Sequence, residues 1–578
     1  MHFGRSLLTV LLFAFPAAAA ERVKPFTLPD KVGKPVSPLA AKDRKAIVVV
    51  FVGTECPINN VYMPRLIALH REFVEQGVGF VAINSNRQDS AARVAEHAKK
   101  HELPFPVLKD EKNVVADQFG AKRTPEAFLL DADGTVRYRG RIDDQFGIGY
   151  KRPAPTRNDL AEALNELLAG KPVSVAATEI SGCPIARVPE KTKSAADSAV
   201  TYTNRIAAIL DKHCVECHRT GEIGPMPLRM YDDVTPWALA IREAVGEGRM
   251  PPWHADPQFG HFSNNRRLSD DDRQALLTWI EHDCPRGDGE APKGREYVDG
   301  WTIGKPDAVY SMEREFYVPA QSSRRGIAYQ YFQVDPKFTE DRWITAAEAR
   351  PGNRAVVHHI IVFAIPRDRQ RQRSEDGIGT GFLVGYAPGD MPLLCPPGTA
   401  RRIPKDSVLL FQMHYTPNGH AGNDRSSVGF VFAKEPPKLE SKSRAIATKN
   451  FELPPGDDNH RVESASRFRQ DVELLSLTPH MHLRGKSFEY RALFPDGKTE
   501  TLLSVLRYDF NWQTTYRLEK PVRLPAGTRV ECTAHFDNSA KNLNNPDPSK
   551  TVTWGDQTWE EMMIGFVDYV PLFQKAQE

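Results

Sequence analysis

From Ala46 to Gly53 the chain reads A-I-V-V-V-F-V-G, an apolar run with no polar alternation. A strand of a parallel sheet has that pattern, because helices cover both of its faces. The spacing then becomes helical over 64–76, returns to a strand over 78–83, and repeats with a helix over 91–101 and a strand over 127–130. Asp133-Gly134 supplies the turn for a hairpin onto 136–141, and 160–168 reads as a closing helix. This alternation predicts an α/β domain over 21–180. Residues 181–200 carry little apolar content and read as a linker. Helical patterns over 204–212, 237–248 and 270–282 predict a small all-α domain over 201–287, the last helix placing Leu276, Leu277, Trp279 and Ile280 on one face. A second linker, 288–300, is rich in glycine. Beyond Trp301 the chain turns to short alternating strands: 316–318, 329–334, 356–364, 408–415, 427–432, 488–494, 501–506, 515–517, 529–535 and 564–570. Pro, Gly and Asn turns separate them and no long helix interrupts, which predicts two tandem all-β sandwiches, 301–436 and 437–578.

Length agrees with this multidomain reading, since 578 residues exceed what one core can organise. A net charge of +2 supplies no basic field, so nucleic acid is not an expected partner. At the N-terminus Arg5 precedes an apolar run over 7–15 and small residues through Ala20, which reads as a signal peptide over 1–20. That run is about half the roughly twenty residues of a spanning helix, so no stable membrane insertion is expected. The mature chain is expected to be exported, to the periplasm in a Gram-negative host. Its seven cysteines (Cys56, Cys183, Cys214, Cys217, Cys284, Cys395 and Cys532) are an odd number for a compartment that permits disulfides.

Two of them belong to Cys214-Val215-Glu216-Cys217-His218. Thiols at this spacing can form thioethers to a haem, and the next histidine can reach the iron, which is the attachment pattern of haem c. Zinc would call for a second pair within roughly twenty residues, and none follows. Met250, in R-M-P-P-W, is the expected opposite axial ligand, with Met226 and His254 as alternatives. Helix, C-x-x-C-H, methionine loop and final helix resemble a small cytochrome c domain.

In the N-terminal domain, a buried strand followed at once by Cys56 at a helix start, then a Thr124-Pro125 pair entering a hairpin, resembles the thioredoxin-like fold in its redoxin branch over about 22–175. The resemblance implies that Cys56 is the attacking thiolate, its pKa lowered by the helix N-terminus. Two departures follow: Asn59 replaces the second cysteine of thioredoxins, and Gly53 replaces the threonine that peroxiredoxins place three positions ahead. Cys183, in S-G-C-P, is a candidate distant partner, with an inconsequential linker cysteine as the alternative.

Histidines of the β-region form an ordered set: His358-His359 within a strand, His414 in Q-M-H-Y, and His480-Met481-His482. Alternation puts both imidazoles of an H-x-H pair on one face, whereas adjacent histidines share an ion only where a strand twists, bulges or uses different ring nitrogens. H-H, Q-x-H, H-x-H and the Glu561-Met562 pair, in this order, resemble the copper type II, ascorbate-dependent monooxygenases over about 300–575. The resemblance implies two copper ions on tandem jelly-roll-like sandwiches. His358, His359 and His414 match the electron-transfer copper, and His480, His482 and Met562 the copper that meets oxygen. A soft thioether suits copper(I). Met563 is the other thioether available. Thr478 stands where the peptide-amidating members carry an arginine, which disfavours a peptide-amidating role.

These readings converge on an exported oxidoreductase in which haem c passes electrons to a dicopper monooxygenase-like module that hydroxylates an organic small molecule with O2. An electron donor in the periplasm is expected as a partner. The alternative is a haem- and copper-binding electron carrier or redox sensor without monooxygenase activity.

Overall fold

A computed structural model describes residues 22–41, 43–188, 199–297, 300–323, 326–367, 381–389 and 391–572. The expected signal peptide over 1–20 and the linker over 189–198 lie outside the described residues. Among the described residues no helix is long and apolar enough to cross a membrane.

The N-terminal domain is built on a five-stranded sheet in the order Val107–Lys109, Val78–Asn84, Ala46–Phe51, Glu126–Asp131, Val136–Gly140. The first three strands run parallel and the last two antiparallel. Alternate residues of Ala46–Phe51 enter two separate cores: Val48 and Val50 meet helices Pro57–Phe73 and Asp159–Leu168, while Ile47, Val49 and Phe51 meet helix Val114–Phe119. Both faces are dry, so the run has no polar position. Burial of each such side chain contributes about 1.5–3 kcal/mol. The first long helix begins at Pro57, seven residues ahead of the expected Pro64: Cys56 caps it, Pro57 occupies its first turn, and Pro64 is tolerated inside.

Residues 181–188, expected to begin a linker, are strapped to this domain. Cys183–Pro184 pairs antiparallel with Arg123–Thr124, the Ile185 amide donates to the Lys122 carbonyl at 2.9 Å, and Ile185 is buried in the core. Sequence composition missed this because backbone and Asn side chains, not apolar residues, hold most of the strap: Asn86 Oδ1 accepts from Ala186 and Asn113 Oδ1 from Val188.

A helical unit follows, with Ala207–His213, Ala238–Gly246 and Asp270–Glu281 packed around Leu210, Ile241, Leu276 and the fully buried Trp279. One stretch expected within it goes elsewhere. Ala255 bridges to Val505 and Phe262 to Leu518, and Trp253 packs edge-on against Tyr516, so residues 253–263 lie along the C-terminal sandwich. Their aromatic side chains find a larger apolar surface there than a small helical unit provides.

The rest of the chain is largely β. In its first half a sheet containing Ser427–Phe432, Arg342–Arg350 and Thr399–Ile403 faces another of order Gln330–Val334, Ser407–Tyr415, Val357–Pro366, Phe382–Tyr386. In the second half Lys442–Ala447, Ile564–Pro571, Val472–His480 and Tyr516–Leu524 face His460–Arg467, Arg529–Phe536, Gly485–Leu493 and Thr499–Val505. Cys532 is buried in the second core with a free thiol. The halves are joined by a buried ion pair, Arg401 Nη2 to Asp568 Oδ1 at 2.8 Å, with Ser476 and Ser443 also donating to that carboxylate.

Candidate metal and thiol centres

His358 and His359 come together with His414 because the strand bulges. Register shifts between Val357 and His359, and His359 stands directly opposite His414. The extra residue lets adjacent side chains converge instead of pointing to opposite faces. One ligand atom from each of the three histidines lies within 4.8 Å of the others, and the Nδ1 atoms of His358 and His359 are 3.4 Å apart. Burial keeps all three imidazoles neutral, pushing His358 down to about 4 and His359 and His414 well below the ordinary value, so each is in the ligand form.

His480 ends the strand Val472–His480 and His482 follows in a turn, their ring centres 5.3 Å apart. Each donates its Nδ1 proton outward, His480 to Gln513 Oε1 at 2.7 Å and His482 to the Glu560 carbonyl at 3.2 Å. Both Nε2 atoms are thereby presented as ligands, the arrangement that fixes metal-binding histidines elsewhere. Burial drives these rings down to about 4 and about 3. Met562 is half-buried, and Glu561 fixes its backbone: Glu561 Oε2 accepts from the amides of His482 at 2.8 Å and Met562 at 3.3 Å, and Oε1 from the amide of Arg484 at 2.6 Å. The carboxylate thus ties the histidine turn to the methionine. Met563 is fully buried in the apolar core of the sandwich.

The two histidine groups face one another across two rings. Phe510 stacks on His358 at 4.9 Å and lies 6.0 Å from His482; Tyr329 lies 5.0 Å from His414 and 6.4 Å from His482. Within this space His358 Nε2, His359 Nε2, His414 Nδ1 and His482 Nε2 are buried without a hydrogen-bond partner. Orphaned buried nitrogens cost about 1–3 kcal/mol each unless something coordinates them, so this donor set fits metal ions. A cavity of about 380 Å³ reaches both groups, with His359 and His480 in its wall together with Phe382, Phe566 and Thr478.

Cys214, Cys217 and His218 form a tight turn at the end of helix Ala207–His213, the His218 amide donating to the Cys214 carbonyl at 2.9 Å. His218 Nδ1 donates to the Met226 carbonyl at 3.1 Å, leaving Nε2 available to iron. A Cβ at Gly224 would stand 2.6 Å from that Nδ1, so glycine is needed there. These features fit haem c. Met226 is the methionine that touches His218, through its backbone. Met250 follows helix Ala238–Gly246, its amide donating to the Ala244 carbonyl at 3.1 Å, and His254 is packed near Asp509 of the C-terminal sandwich.

Cys56 caps helix Pro57–Phe73, its sulfur accepting from the Asn59 amide, and donates to the Thr124 carbonyl at 3.0 Å. Asn59, at the place of a second thiol, instead donates to the Gly53 carbonyl at 2.8 Å. The strap residue Cys183, paired with Thr124, brings its own thiol into hydrogen-bond contact with Cys56. Burial raises the Cys56 pKa, but hydrogen bonds from the Cys183 thiol, from the Asn59 and Cys183 amides and from Thr124 outweigh it and bring Cys56 down to about 7. The neighbouring Cys56 sulfur, and after it burial, push Cys183 well up. Alkylation of Cys56 should therefore rise with pH through a midpoint near about 7. In Cys183→Ser it should move up toward the ordinary thiol value of about 8.5. Equal midpoints in the two proteins would show that Cys183 does not act on Cys56.

A five-stranded mixed sheet with a cysteine capping its first long helix defines a thioredoxin-like α/β domain. Residues 19–139 match the AhpC/TSA family model, so the chain carries a redoxin domain there. Thiol-disulfide oxidoreductase ResA of Halalkalibacterium halodurans is 30% identical over 120 residues, covering 21% of this chain and 66% of that protein. Chloroplastic peroxiredoxin Q of Sedum lineare is 32% identical over 120 residues, covering 20% and 63%. A hypothetical protein, SMc02350, from Sinorhizobium meliloti 1021 has a solved structure with 30% identity, covering 30% of this chain and 98% of that one at a TM-score of 0.28. This chain spans 66%, 62% and 62% of the length of the first curated relatives it matches.

Sequence reasoning overlooked Gln513, Tyr329 and Phe510, which lie far along the chain from the histidines they touch. Glu561 was visible only as one half of a Glu-Met pair; its clamp on two backbone amides of the histidine turn was not.

Proposed function

We propose that the chain is an exported, periplasmic multi-centre oxidoreductase. Cys214 and Cys217 would attach haem c, His218 and Met250 would hold its iron, and the group would supply single electrons to a dicopper centre serving the hydroxylation of an organic small molecule. The observation that carries this reading is the pair of facing histidine groups, with four orphaned nitrogens, fronting one cavity. His358, His359 and His414 would hold the first copper; His480, His482 and Met562 would hold the second. When bound, copper at a site with an open position supplies oxygen activation and single-electron storage.

The protein's own groups do the rest. Gln513 and the Glu560 carbonyl orient the two rings, and Phe510 and Tyr329 exclude water between the groups. Charge near the cavity is already satisfied: Arg401 is paired with Asp568, and Arg517 donates to the carbonyls of Met391 and Pro392. With Phe382 and Phe566 in the wall, the cavity suits an uncharged substrate with an apolar body. Support for electron delivery comes from Glu222, four residues after His218, which pairs with Arg354, four residues before His358, at 2.8 Å. The redoxin match supports a redox role for the whole.

Metal analysis with an optical spectrum tests the proposal on the exported protein. About two coppers per chain and one haem that survives acid-acetone extraction are expected from the ligand count. Absence of copper above background, or zinc held equally well, ends the monooxygenase reading. Copper without substrate-dependent oxygen uptake would leave the electron-carrier alternative.

A further inference from the structure

We propose that Cys56 and Cys183 form a reversible dithiol–disulfide couple that exchanges with low-molecular-weight thiols and disulfides. The couple rests on the thioredoxin-like domain alone, so it stands or falls independently of the metal centres.

Three features of the strap bring the sulfurs together. Cys183 is held opposite Thr124 by the two-residue ladder with Arg123–Thr124, and the Thr124 carbonyl is the group that accepts from Cys56. Gly182 makes the approach possible, since a Cβ there would stand 2.1 Å from the Thr124 oxygen. Arg123 then locks the turn, donating to the Gly182 carbonyl at 2.7 Å while pairing with Glu243 of the helical unit at 2.8 Å. A segment whose buried apolar residues are Ile185 and Ala186 is thus anchored on both sides of one cysteine. The helix position that would carry a resolving thiol is occupied by Asn59, and Cys183 fills that role from the other side.

Exposure sets the size of the partner. Cys56 is 2% exposed, and the β-region closes over its helix: a Cβ at Gly419 would stand 2.0 Å from the Asn60 carbonyl oxygen. Cys183 is half-buried on the outer strap. A small thiol can reach Cys183 where a folded protein cannot reach Cys56.

In the reducing direction an external thiolate attacks the Cys183 sulfur of the disulfide. The Cys56–Cys183 bond breaks and Cys56 leaves as thiolate, the better leaving group because its pKa is the lower of the two. A second external thiolate attacks the outer sulfur of the mixed disulfide, releasing the small disulfide and Cys183, which takes up a proton. Two external thiols lose two electrons, the protein disulfide gains them, and the second thiol proton goes to solvent or to Cys56. Oxidation is the reverse, with the small disulfide as oxidant.

The full-length chain is equilibrated in glutathione buffers of varied oxidised-to-reduced ratio, quenched in acid, alkylated and peptide-mapped. Wild type should give a Cys56–Cys183 linked peptide whose fraction rises with the ratio. Gly182→Ala should need a ratio at least about tenfold more oxidising, because a displaced strap strains the bond. Cys56→Ser, which does not disturb the strap, should instead accumulate a glutathione adduct on Cys183. Absence of the linked peptide at every ratio, linkage of Cys56 to another cysteine, or no adduct on Cys183 in Cys56→Ser each overturns the couple.

Discussion

Replacing Met562 by isoleucine should abolish substrate-dependent oxygen uptake while leaving the chain folded and the three-histidine group occupied. Isoleucine keeps the apolar bulk and removes only the thioether, and Met562 is half-buried, outside the packed core. Copper analysis should then show the first ion at wild-type occupancy and the second weakened. Met563→Ile is the matched control: Met563 is fully buried among the side chains of the sandwich core, so its replacement is a repacking event costing less than about 1.5 kcal/mol, with both ions retained. His414→Ala divides the module the other way, losing the first ion and the electron supply while the His480 and His482 pair persists. Equal oxygen uptake in wild type and Met562→Ile would remove the thioether from the mechanism. Equal losses in the two methionine variants would show a packing effect and not a ligand.

How much of this was legible in the sequence depends on which force holds each element. Ala46–Phe51 is plain because both faces are dry and every position must be apolar. His460–Arg467 passed unseen because its partner sheet covers it on one side only, and Val462 is its single buried residue. Residues 181–188 read as a linker because backbone amides donating to Asn86 and Asn113 anchor them, with only Ile185 and Ala186 buried as apolar residues, too few to leave a periodic pattern. The ordered histidines were legible as candidates, but their convergence was not. A bulge at His358 is a property of register against Ser407–Tyr415, and register is settled between strands far apart in sequence. Cys183 shows the same limit: its spacing from Cys56 says nothing, and only the pairing of Cys183–Pro184 with Arg123–Thr124 makes them neighbours.

Glu561→Ala should destabilise the C-terminal sandwich more than any ligand substitution does. The Glu561 side chain is 0% exposed and accepts from three backbone amides, those of His482, Arg484 and Met562. Beside it Arg484 is 2% exposed, its guanidinium held by Asn538 Oδ1 at 2.8 Å and the Trp559 carbonyl at 3.0 Å. Burial pushes the Glu561 carboxyl up to about 7, and the Arg484 charge with the three amide bonds counters that push. Truncation strands a buried cation and orphans three donors, a combination worth about 3–5 kcal/mol. The same change frees the turn that aims His480 and His482, so the second copper should be lost together with the stability. Denaturation of metal-free protein, followed by far-ultraviolet circular dichroism, isolates the first effect, and copper stoichiometry at a denaturant-free baseline reads the second. A variant with wild-type midpoint and both coppers would mean that Glu561 is not the clamp between the histidine turn and Met562.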